Sequence, residues 1–445
     1  MSGTSGTMRD VRMRGFAERT DVEDVLAFLV AHGHPLPPES VGLLDCFGRV
    51  LASDVVSEVD VPGFARSAMD GYALRGAESF GASGYETIRL AVVGISLPGR
   101  PFEGKLAVGQ AVRIMTGAPI PAGADAVAKA EICEERDGYV AVAEPVTPQK
   151  NVGAIGEDIR RGDLVLGAGR RLRPQDVGLL ASIGVASAVC VRRPRVRLLV
   201  TGDELVAAGS RPGGSKIVDS NSVVLRGLVA RDGGIVLPFE IVPDVPERIA
   251  EIMGDPAPDV LLVSGGTSVG QEDHAPRLLA SLGQLDFHGI SMRPSSPTGI
   301  GRIGDRFVFL LPGNPVSCLA AYEFFAGPTI RALGGRSRAW PHRRLRAPLA
   351  RKISSEVGRT DYVRVALEAG RVVPLATAGA SILSSTVRAA GAVIVPRERE
   401  GYGEGDSVDV FLYDDESSED DSLVGVCPAT GDGITARGPS APGAS

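Results

Sequence analysis

The sequence is poor in aromatic residues and in cysteine, and it has no long uninterrupted apolar run. Aromatic residues make up 5% of the 445 positions, against 44% for all hydrophobic types, so we expect cores built from aliphatic side chains. The five cysteines are scattered singly without a CxxC pair, which argues against a zinc site or a disulfide framework and favours a reducing cytoplasm. No run approaches the roughly 18 apolar residues of a membrane span, and the start lacks the order of a signal peptide.

The net charge is small once one acidic run is set aside. The formal charge is −7, and six of the acids lie within residues 414–421, DDESSEDD. Without that run the balance is about −1, which gives no general drive to bind nucleic acid or an anionic membrane. We therefore expect neither partner. The run and the Gly/Pro/Ser/Ala-rich residues after it predict a disordered tail over 414–445, and residues 1–18 read as a flexible leader.

The first half of the chain predicts one helix followed by a small β domain. Residues 21–32 carry an apolar stripe, with Thr20 placed as the N-cap of a capping box. The stretch from there to about residue 150 is punctuated by glycine and proline and contains short alternating strands at 88–93 and 140–146. A second helical patch follows at 173–183.

From about residue 195, strand and helix patterns alternate. The predicted strands are 196–200, 234–242, 259–263 and 307–311, and the predicted helices are 222–230, 246–253, 276–282 and one beginning at Pro315. This alternation predicts an α/β domain with a doubly wound parallel sheet. Pro341 opens a last stretch of short strands to about Tyr413, a second small β domain.

Three predicted strand ends carry unusual loops, and open parallel sheets bind ligands at those ends. TGDE at 201–204 bends at a glycine and projects acids into the crevice, although a plain turn is the alternative. SGGTSVG at 264–270 offers backbone N–H groups and hydroxyls as an anion nest, without the GK[ST] of a Walker loop. LPGNP at 311–315 has Asn314 as N-cap and Pro315 at the first helical position, and a structural role also explains it.

These loops together predict a site for an anionic, phosphorylated ligand, with carboxylates that could hold a divalent cation. Asp273, just after the second loop, is a candidate for that cation, and capping of the next helix is the alternative. Outside the sheet, SAMDGYA at 67–73 and RIMTGAP at 113–119 place an acid and a hydroxyl at tight turns, which could also be hairpin connections.

Six segments in a fixed order identify a family. They are SAMDGYA at 67–73, IMTGAPIP at 114–121, GEDI at 156–159, TGDEL at 201–205, SGGTSVG at 264–270 and LPGNPVS at 311–317. This set resembles the molybdopterin molybdenumtransferases, including the C-terminal domain of gephyrin. The resemblance runs from about residue 20 to residue 413.

The resemblance implies an elongated, cytoplasmic homodimer of four-part subunits. A helical linker domain would combine residues 19–60 and 150–190, with a β domain inserted at 61–149. The α/β domain at 191–336 would be similar to the molybdopterin adenylyltransferases, and a β-barrel at 337–413 would close the fold. In this family the active site lies between the α/β domain of one subunit and the β insert of the other.

The same resemblance implies a reaction and its residues. Molybdopterin adenylate and molybdate are the substrates, Mg²⁺ is required, and the products are molybdenum cofactor and AMP; molybdopterin adenylyltransferase and apo-molybdoenzymes are possible partners. The implied catalytic residues are Asp70, Thr116, Glu204, Asp244 and Asp273, with Asp244 and Asp273 as metal ligands. The implied substrate-binding residues are Asp158, Ser264, Gly265, Gly266, Ser268, Arg293, Pro312, Gly313, Asn314 and Pro315.

The chain departs from the family where cations are usual. Residues 153–155 are Gly-Ala-Ile in place of basic residues, and RPSSP at 293–297 stands where relatives read KPGKP, so Ser296 replaces a cation. Each charge-assisted hydrogen bond to phosphate is worth about 1.5–3 kcal/mol, so two losses could weaken binding about a hundredfold. Arg66 or Arg293 could compensate. The alternatives are a catalytically diverged paralogue that binds a partner peptide as a dimeric scaffold, and a related enzyme with another nucleotide-linked substrate.

Overall fold

The computed structural model describes residues 19–266, 274–376 and 379–413. The predicted leader at 1–18 and tail at 414–445, and the second half of the SGGTSVG loop, lie outside these ranges. None of the helices within them is both long enough and apolar enough to span a membrane.

The first helix spans Val22–His32 and buries one face through Val25 and Leu29. It ends where the backbone N–H of Gly33 donates to the carbonyl of Leu29 at 3.0 Å. The predicted capping box is wrong. Asp21 occupies the N-cap position without a side-chain cap, because the backbone of Thr20 is held in a β-bridge to Ile290.

Segments from both sides of the β insert pair with each other. The antiparallel pairs are Pro38–Gly42 with Ser187–Val191, Val55–Val56 with Leu164–Leu166, and Arg66–Ser67 with Val152–Gly153. The helix Pro174–Ser182 packs Val177 and Leu180 into a shared core with Leu51. Two stretches that lie on opposite sides of the β insert in the sequence therefore build one unit.

The β insert is a mixed six-stranded sheet. Its strands, in spatial order, are Ala126–Lys129, Gly71–Leu74, Gln110–Ile114, Ile88–Ser96, Tyr139–Val142 and Cys133–Arg136. The predicted strand at 88–93 extends to Ser96, and the one predicted at 140–146 stops at Val142. Aliphatic side chains such as Leu74, Leu90 and Val140 fill its core, as the low aromatic content predicts.

The α/β domain has a seven-stranded sheet. Five parallel strands, Ile235–Val236, Ile241–Val242, Arg195–Thr201, Val260–Ser264 and Arg306–Leu311, continue into two antiparallel ones, Gly299–Ile303 and Gln284–His288. The predicted strand at 234–242 is split in two because Pro238 lies in its middle and has no N–H for a ladder. The doubly wound parallel arrangement is confirmed, and the antiparallel edge is an addition.

Helices cover both faces of this sheet. They are Asn221–Arg231, Pro246–Gly254, Ala275–Leu282, and Pro315–Ala321, which continues through a π-turn at Tyr322–Ala326 into Gly327–Leu333. Alternate strand residues point to opposite sides: Leu198 and Phe309 pack in one core, while Leu199 joins the other. This fixes the register of the strands and aligns their carboxyl ends at one edge.

The last domain is a six-stranded sheet with an aliphatic core. Its strands are Met292–Arg293, Thr360–Glu368, Arg371–Ala376, Gly391–Val395, Ser407–Leu412 and Arg344–Pro348. Two small pairs, Ile353–Ser354 with Gly401–Tyr402 and Leu205–Val206 with Ile217–Val218, and the short helix Ser384–Val387 complete the described elements. Because Met292–Arg293 runs beside Thr360–Glu368, the chain enters this sheet before the α/β domain is complete.

Candidate functional site

A cavity of about 710 Å³ opens at the carboxyl ends of the central parallel strands. Its walls come from the loops after Arg195–Thr201, Val260–Ser264 and Arg306–Leu311, as the strand-end argument predicts. The predicted site residues that line it are Glu204, Asp244, Ser264, Gly265, Gly266, Pro312, Gly313, Asn314 and Pro315. Asp273 and Ser268 lie outside the described residues, so their positions stay predictions.

The Ser264–Gly266 loop needs its glycines. Gly265 has a φ of +99° and Gly266 a φ of +58°, both in the left-handed region. A Cβ on Gly265 would lie 2.1 Å from the carbonyl oxygen of Thr201, a backbone atom that has no room to move. The two loops therefore touch backbone to backbone at Gly265, which leaves no room for a side chain there.

We expect Gly265→Ala to destabilise the α/β domain by about 2 kcal/mol or more, because it adds a backbone clash to an unfavourable φ. Gly227→Ala is the matched control, since Gly227 lies in the helix Asn221–Arg231 with nothing within 4 Å of its new Cβ. That control should be neutral or slightly stabilising. Urea unfolding compares the two, and equal midpoints would contradict the strained geometry at Gly265.

Asn221 connects the loops that surround the cavity. Its side-chain amide donates to the hydroxyl of Ser264 at 2.9 Å and to the carbonyl of Gly313 at 2.8 Å. Asp219, just before it, caps the helix by accepting the N–H of Ser222 at 3.0 Å. Sequence reasoning missed both residues, although the Asp-Ser-Asn triplet between a strand and a helix is the same signal that identified the other loops.

The charged groups in this cavity are acids. Glu204, Asp219 and Asp244 line it, and no lysine or arginine does among the residues that the structure describes. The hydroxyl of Thr201 donates to Oδ1 of Asp244, and the N–H of Asp203 donates to Oδ2 at 3.3 Å. Asp244 is therefore held as an oriented carboxylate, and an anionic ligand here needs a cation to offset its charge.

The described residues contain no group of three or more His, Cys, Asp or Glu side chains placed to hold a metal ion. Asp244 and Glu204 nevertheless fit Mg²⁺, which proteins often bind through one or two carboxylates while substrate phosphates and water supply the other ligands.

A second cavity of about 360 Å³ adjoins the first and shares Pro297, Pro312 and Asn314 with it. Arg293 lines it, but its guanidinium donates to the buried carboxylate of Asp361. Arg364 lines it as well, although sequence reasoning missed this cation. Only 3% of Arg364 is exposed; its Nη1 donates to the Ser385 hydroxyl at 2.7 Å, and burial lowers its pKa.

The RPSSP segment forms one wall of this second cavity. Ser295 has a φ of +86° at the position where relatives carry glycine, and its hydroxyl donates to the carbonyl of Ser317. The hydroxyl of Ser296 is buried and has no hydrogen-bond partner among the described residues. The cavity thus combines a buried cation with a buried polar group, a composition that favours an oxyanion.

The β insert brings Asp70 and Thr116 together. The backbone N–H and the hydroxyl of Thr116 both donate to Oδ1 of Asp70 at 2.7 Å, which lowers the pKa of that carboxyl. A Cβ on Gly71 would lie 1.9 Å from the carbonyl of Ala128, so the turn after Asp70 requires glycine. Asp158 lies apart from this pair, with its N–H donating to Val61 at 3.1 Å. Asp70, Thr116 and Asp158 do not line either of the two cavities described above.

Arg66 occupies the place of a missing cation. It pairs directly with Gly153 across the two-stranded ladder, at the segment where basic residues are usual in the resembled family. Its guanidinium forms an ion pair with Glu157 at 2.6 Å, and 45% of its side chain is exposed. The neighbouring strand thus places a guanidinium beside residues 153–155.

Comparison with known proteins agrees with this fold. The chain matches the MoeA N-terminal region (domain I and II) over residues 20–184, a "Probable molybdopterin binding domain" over 197–332 and the MoeA C-terminal region (domain IV) over 346–413. It is 33% identical to the molybdopterin molybdenumtransferase of Haemophilus influenzae, covering 84% of this chain and 94% of the relative. The identity to the Staphylococcus aureus enzyme of that name is 28%, with coverages of 91% and 98%.

Solved structures give the same result. Two crystal structures of the molybdopterin biosynthesis MoeA protein from Pyrococcus horikoshii are 31% identical to this chain, cover 89% of it and are themselves covered completely. Their TM-scores are 0.77 and 0.73. A molybdenum cofactor biosynthesis protein from Pyrococcus furiosus shares the fold at 23% identity, with a TM-score of 0.54. The chain belongs to the MoeA family.

Proposed function

We propose that this chain is a molybdopterin molybdenumtransferase. It transfers molybdenum from molybdate to the dithiolene of molybdopterin adenylate and releases AMP. The observation that carries the proposal is the cavity at the strand ends, where the Gly265 and Gly266 backbone lies beside the oriented Asp244 carboxylate. The relatives named molybdopterin molybdenumtransferase support it. They give no support to a partner-binding scaffold.

The pyrophosphate of the adenylate binds between two loops. Backbone N–H groups at Gly265 and Gly266 face it from one side, and the helix beginning at Pro315 directs its positive end towards it from the other. Asn221 fixes the distance between these two loops through Ser264 and Gly313. The phosphates thus lie against the main chain of these loops. A side chain at Gly265 would clash with the carbonyl oxygen of Thr201.

Asp244, with Asp273, would hold Mg²⁺, and the ion would supply positive charge that offsets the charge of the phosphoanhydride. The Thr201 hydroxyl orients Asp244 for this role. Glu204 stands at the mouth of the same cavity, where its carboxylate positions water for attack at the phosphoanhydride.

Molybdate enters through the second cavity. Arg364 provides the charge that Ser296 no longer provides, and the Ser296 hydroxyl is available as a hydrogen-bond donor to a molybdate oxygen. The shared wall at Pro312 and Asn314 places this oxyanion next to the adenylate cavity. The apparent loss of one cation from the RPSSP segment is therefore offset by a residue 68 positions after Ser296 in the sequence.

The working unit is a homodimer in the cytoplasm, divided into the four parts expected above. Exposed apolar side chains support this association: Phe47, Val56, Phe64, Ile155 and Leu164 are each about half exposed or more. In the dimer, Asp70 and Thr116 of the β insert complete the α/β cavity of the other subunit. Molybdopterin adenylyltransferase delivers the substrate and apo-molybdoenzymes take the product.

The proposal is tested by AMP release. Purified chain is mixed with molybdopterin adenylate, molybdate and Mg²⁺, and AMP is quantified over time against a reaction without molybdate and one with EDTA. We expect AMP to appear with molybdate and Mg²⁺ together and to fall to background in both controls. A folded dimer that releases no AMP above the blank would overturn the assignment.

A further inference from the structure

A groove of about 470 Å³ lies between the N-terminal helix and the C-terminal sheet, away from both cavities described above. Leu26 and Val30 of the helix Val22–His32 form one wall, and Ile394 and Phe411 of the sheet form the other. Val30 is 55% exposed. A concave apolar surface of this kind is typical of a binding site.

Trp340 lies at the centre of the groove. Its ring centroid is 4.9 Å from that of Phe411 and 5.1 Å from that of Phe324, both in T-shaped contacts. Aromatic residues fixed in this way are the usual anchors of an interface. Trp340 is also the only tryptophan in the sequence, so its fluorescence reports on this groove alone.

The charges around the groove are positive. Of the described residues that line it, the charged ones are Arg338 and Arg344, and Arg344 lies over the Phe411 ring at 5.1 Å. Arg343 and Arg346 are exposed on the same stretch of chain. A ligand that matches this surface combines acidic groups with aliphatic side chains.

The chain itself continues with such a segment. Phe411 lines the groove and belongs to the strand Ser407–Leu412, and the described chain ends at Tyr413, two residues after it. Residues 414–421 contain six acids, and the aliphatic Leu423, Val424 and Val426 come next. An extended chain advances about 3.3 Å per residue, so residues 414–426 can span about 40 Å.

We propose that residues 414–426 dock into this groove of their own chain, with the acids against the arginines and the aliphatic residues against Trp340. The inference rests on charge complementarity and on the place where the described chain ends. It does not depend on the proposed molybdenum chemistry, because the groove shares no lining residue with the two cavities.

The test measures acrylamide quenching of Trp340 in the full chain. We expect the quenching constant to rise about twofold when the six acids of 414–421 are replaced by Asn and Gln, and to rise similarly in the unmodified chain at about 1 M NaCl, where the Debye length falls to about 3 Å. Equal quenching in the unmodified and the acid-replaced chains would overturn the proposal.

Arg344→Gln tests whether Arg344 is a partner of the acids in residues 414–421. It should raise quenching in the unmodified chain but add nothing in the acid-replaced chain, since the two changes remove the same interaction. Arg136→Gln is the matched control, because this arginine is 85% exposed in the β insert and should leave quenching unchanged. Additive effects of Arg344→Gln and the acid replacements would contradict the pairing.

A mixing experiment separates the chain's own segment from that of a second copy. Trp340→Phe protein with an intact segment is added to the acid-replaced protein that retains Trp340. Docking within one chain leaves the high quenching unchanged. If the added protein restores protection, the groove takes the segment of another copy, and the assignment within one chain is overturned.

Discussion

AMP release slows about a hundredfold in Asp244→Asn, because removing one preorganised charged group from a reaction centre typically costs about 10²–10³ in rate. The substitution preserves shape, and the amide oxygen can still accept the hydroxyl of Thr201. The loss therefore reports on charge rather than on folding. Initial rates across a Mg²⁺ series provide the measurement, and the Mg²⁺ concentration for half-maximal rate should rise as well.

Asp203→Asn is the matched control for this prediction. Asp203 lies in the loop after the strand Arg195–Thr201. It is exposed and does not line the cavity. We expect its rate to stay within about twofold of the unmodified chain. A fall as large as that of Asp244→Asn would show that the loop responds to any loss of charge, and a near-normal rate in Asp244→Asn would show that the metal site lies elsewhere.

Asp232→Ala should lower the free energy of unfolding of the α/β domain by about 3–5 kcal/mol, because it leaves a buried cation uncompensated. The Asp232 side chain is fully buried, pairs with Arg331 at 2.8 Å and with Arg231 at 2.9 Å, and accepts the Tyr322 hydroxyl at 2.9 Å. Arg331 is itself only 4% exposed.

Urea unfolding followed by Trp340 fluorescence measures this loss, since Trp340 contacts Phe324 next to the buried cluster. Glu240→Ala is the control: Glu240 is 71% exposed in the α/β domain and pairs with Arg248 at 3.5 Å, so its removal should not move the midpoint. The urea midpoint of Asp232→Asn should lie between those of Asp232→Ala and the control variant. An unchanged midpoint in Asp232→Ala would mean that water or movement compensates the charge.

Glu323 extends the network around Asp232 with a second buried carboxylate. Burial alone would raise the pKa of Glu323, but hydrogen bonds from His342 and Arg231 lower it to about 2. Glu323 accepts from Arg231 at 2.7 Å within this cluster. The π-turn of the last long helix thus presents a carboxylate to an arginine on a neighbouring helix, which ties the two helices together.

Patterns within a few residues were sufficient to predict most of the α/β domain. The buried strands end in their glycine loops as predicted because strand burial and turn chemistry are both local properties. Where a single residue changes the local balance, prediction failed: Pro238 divides one strand, and the backbone pairing of Thr20 displaces its capping role. The antiparallel edge strands depend on pairing partners and gave no distinctive pattern.

The missed site residues act over long sequence distances. Asn221 reaches Gly313, 92 positions away, and Arg364 reaches a cavity whose other wall is the RPSSP segment. Arg364 lies inside a strand and carries no loop signal, and the Asp-Ser-Asn triplet at Asn221 does not say which loops its side chain joins. The absence of basic residues at 153–155 and at Ser296 likewise predicted a large loss of substrate affinity. In the folded chain, Arg66 and Arg364 lie beside those positions.

The β insert is joined to the rest of the chain at the ladder between Arg66–Ser67 and Val152–Gly153. The chain enters the insert and leaves it at hydrogen-bonded neighbours, and Val61 and Ile159 continue the pairing below them. A unit whose two ends lie side by side can be exchanged without disturbing the frame that carries it. Replacement of the insert as a unit would therefore leave the paired segments of that frame in place.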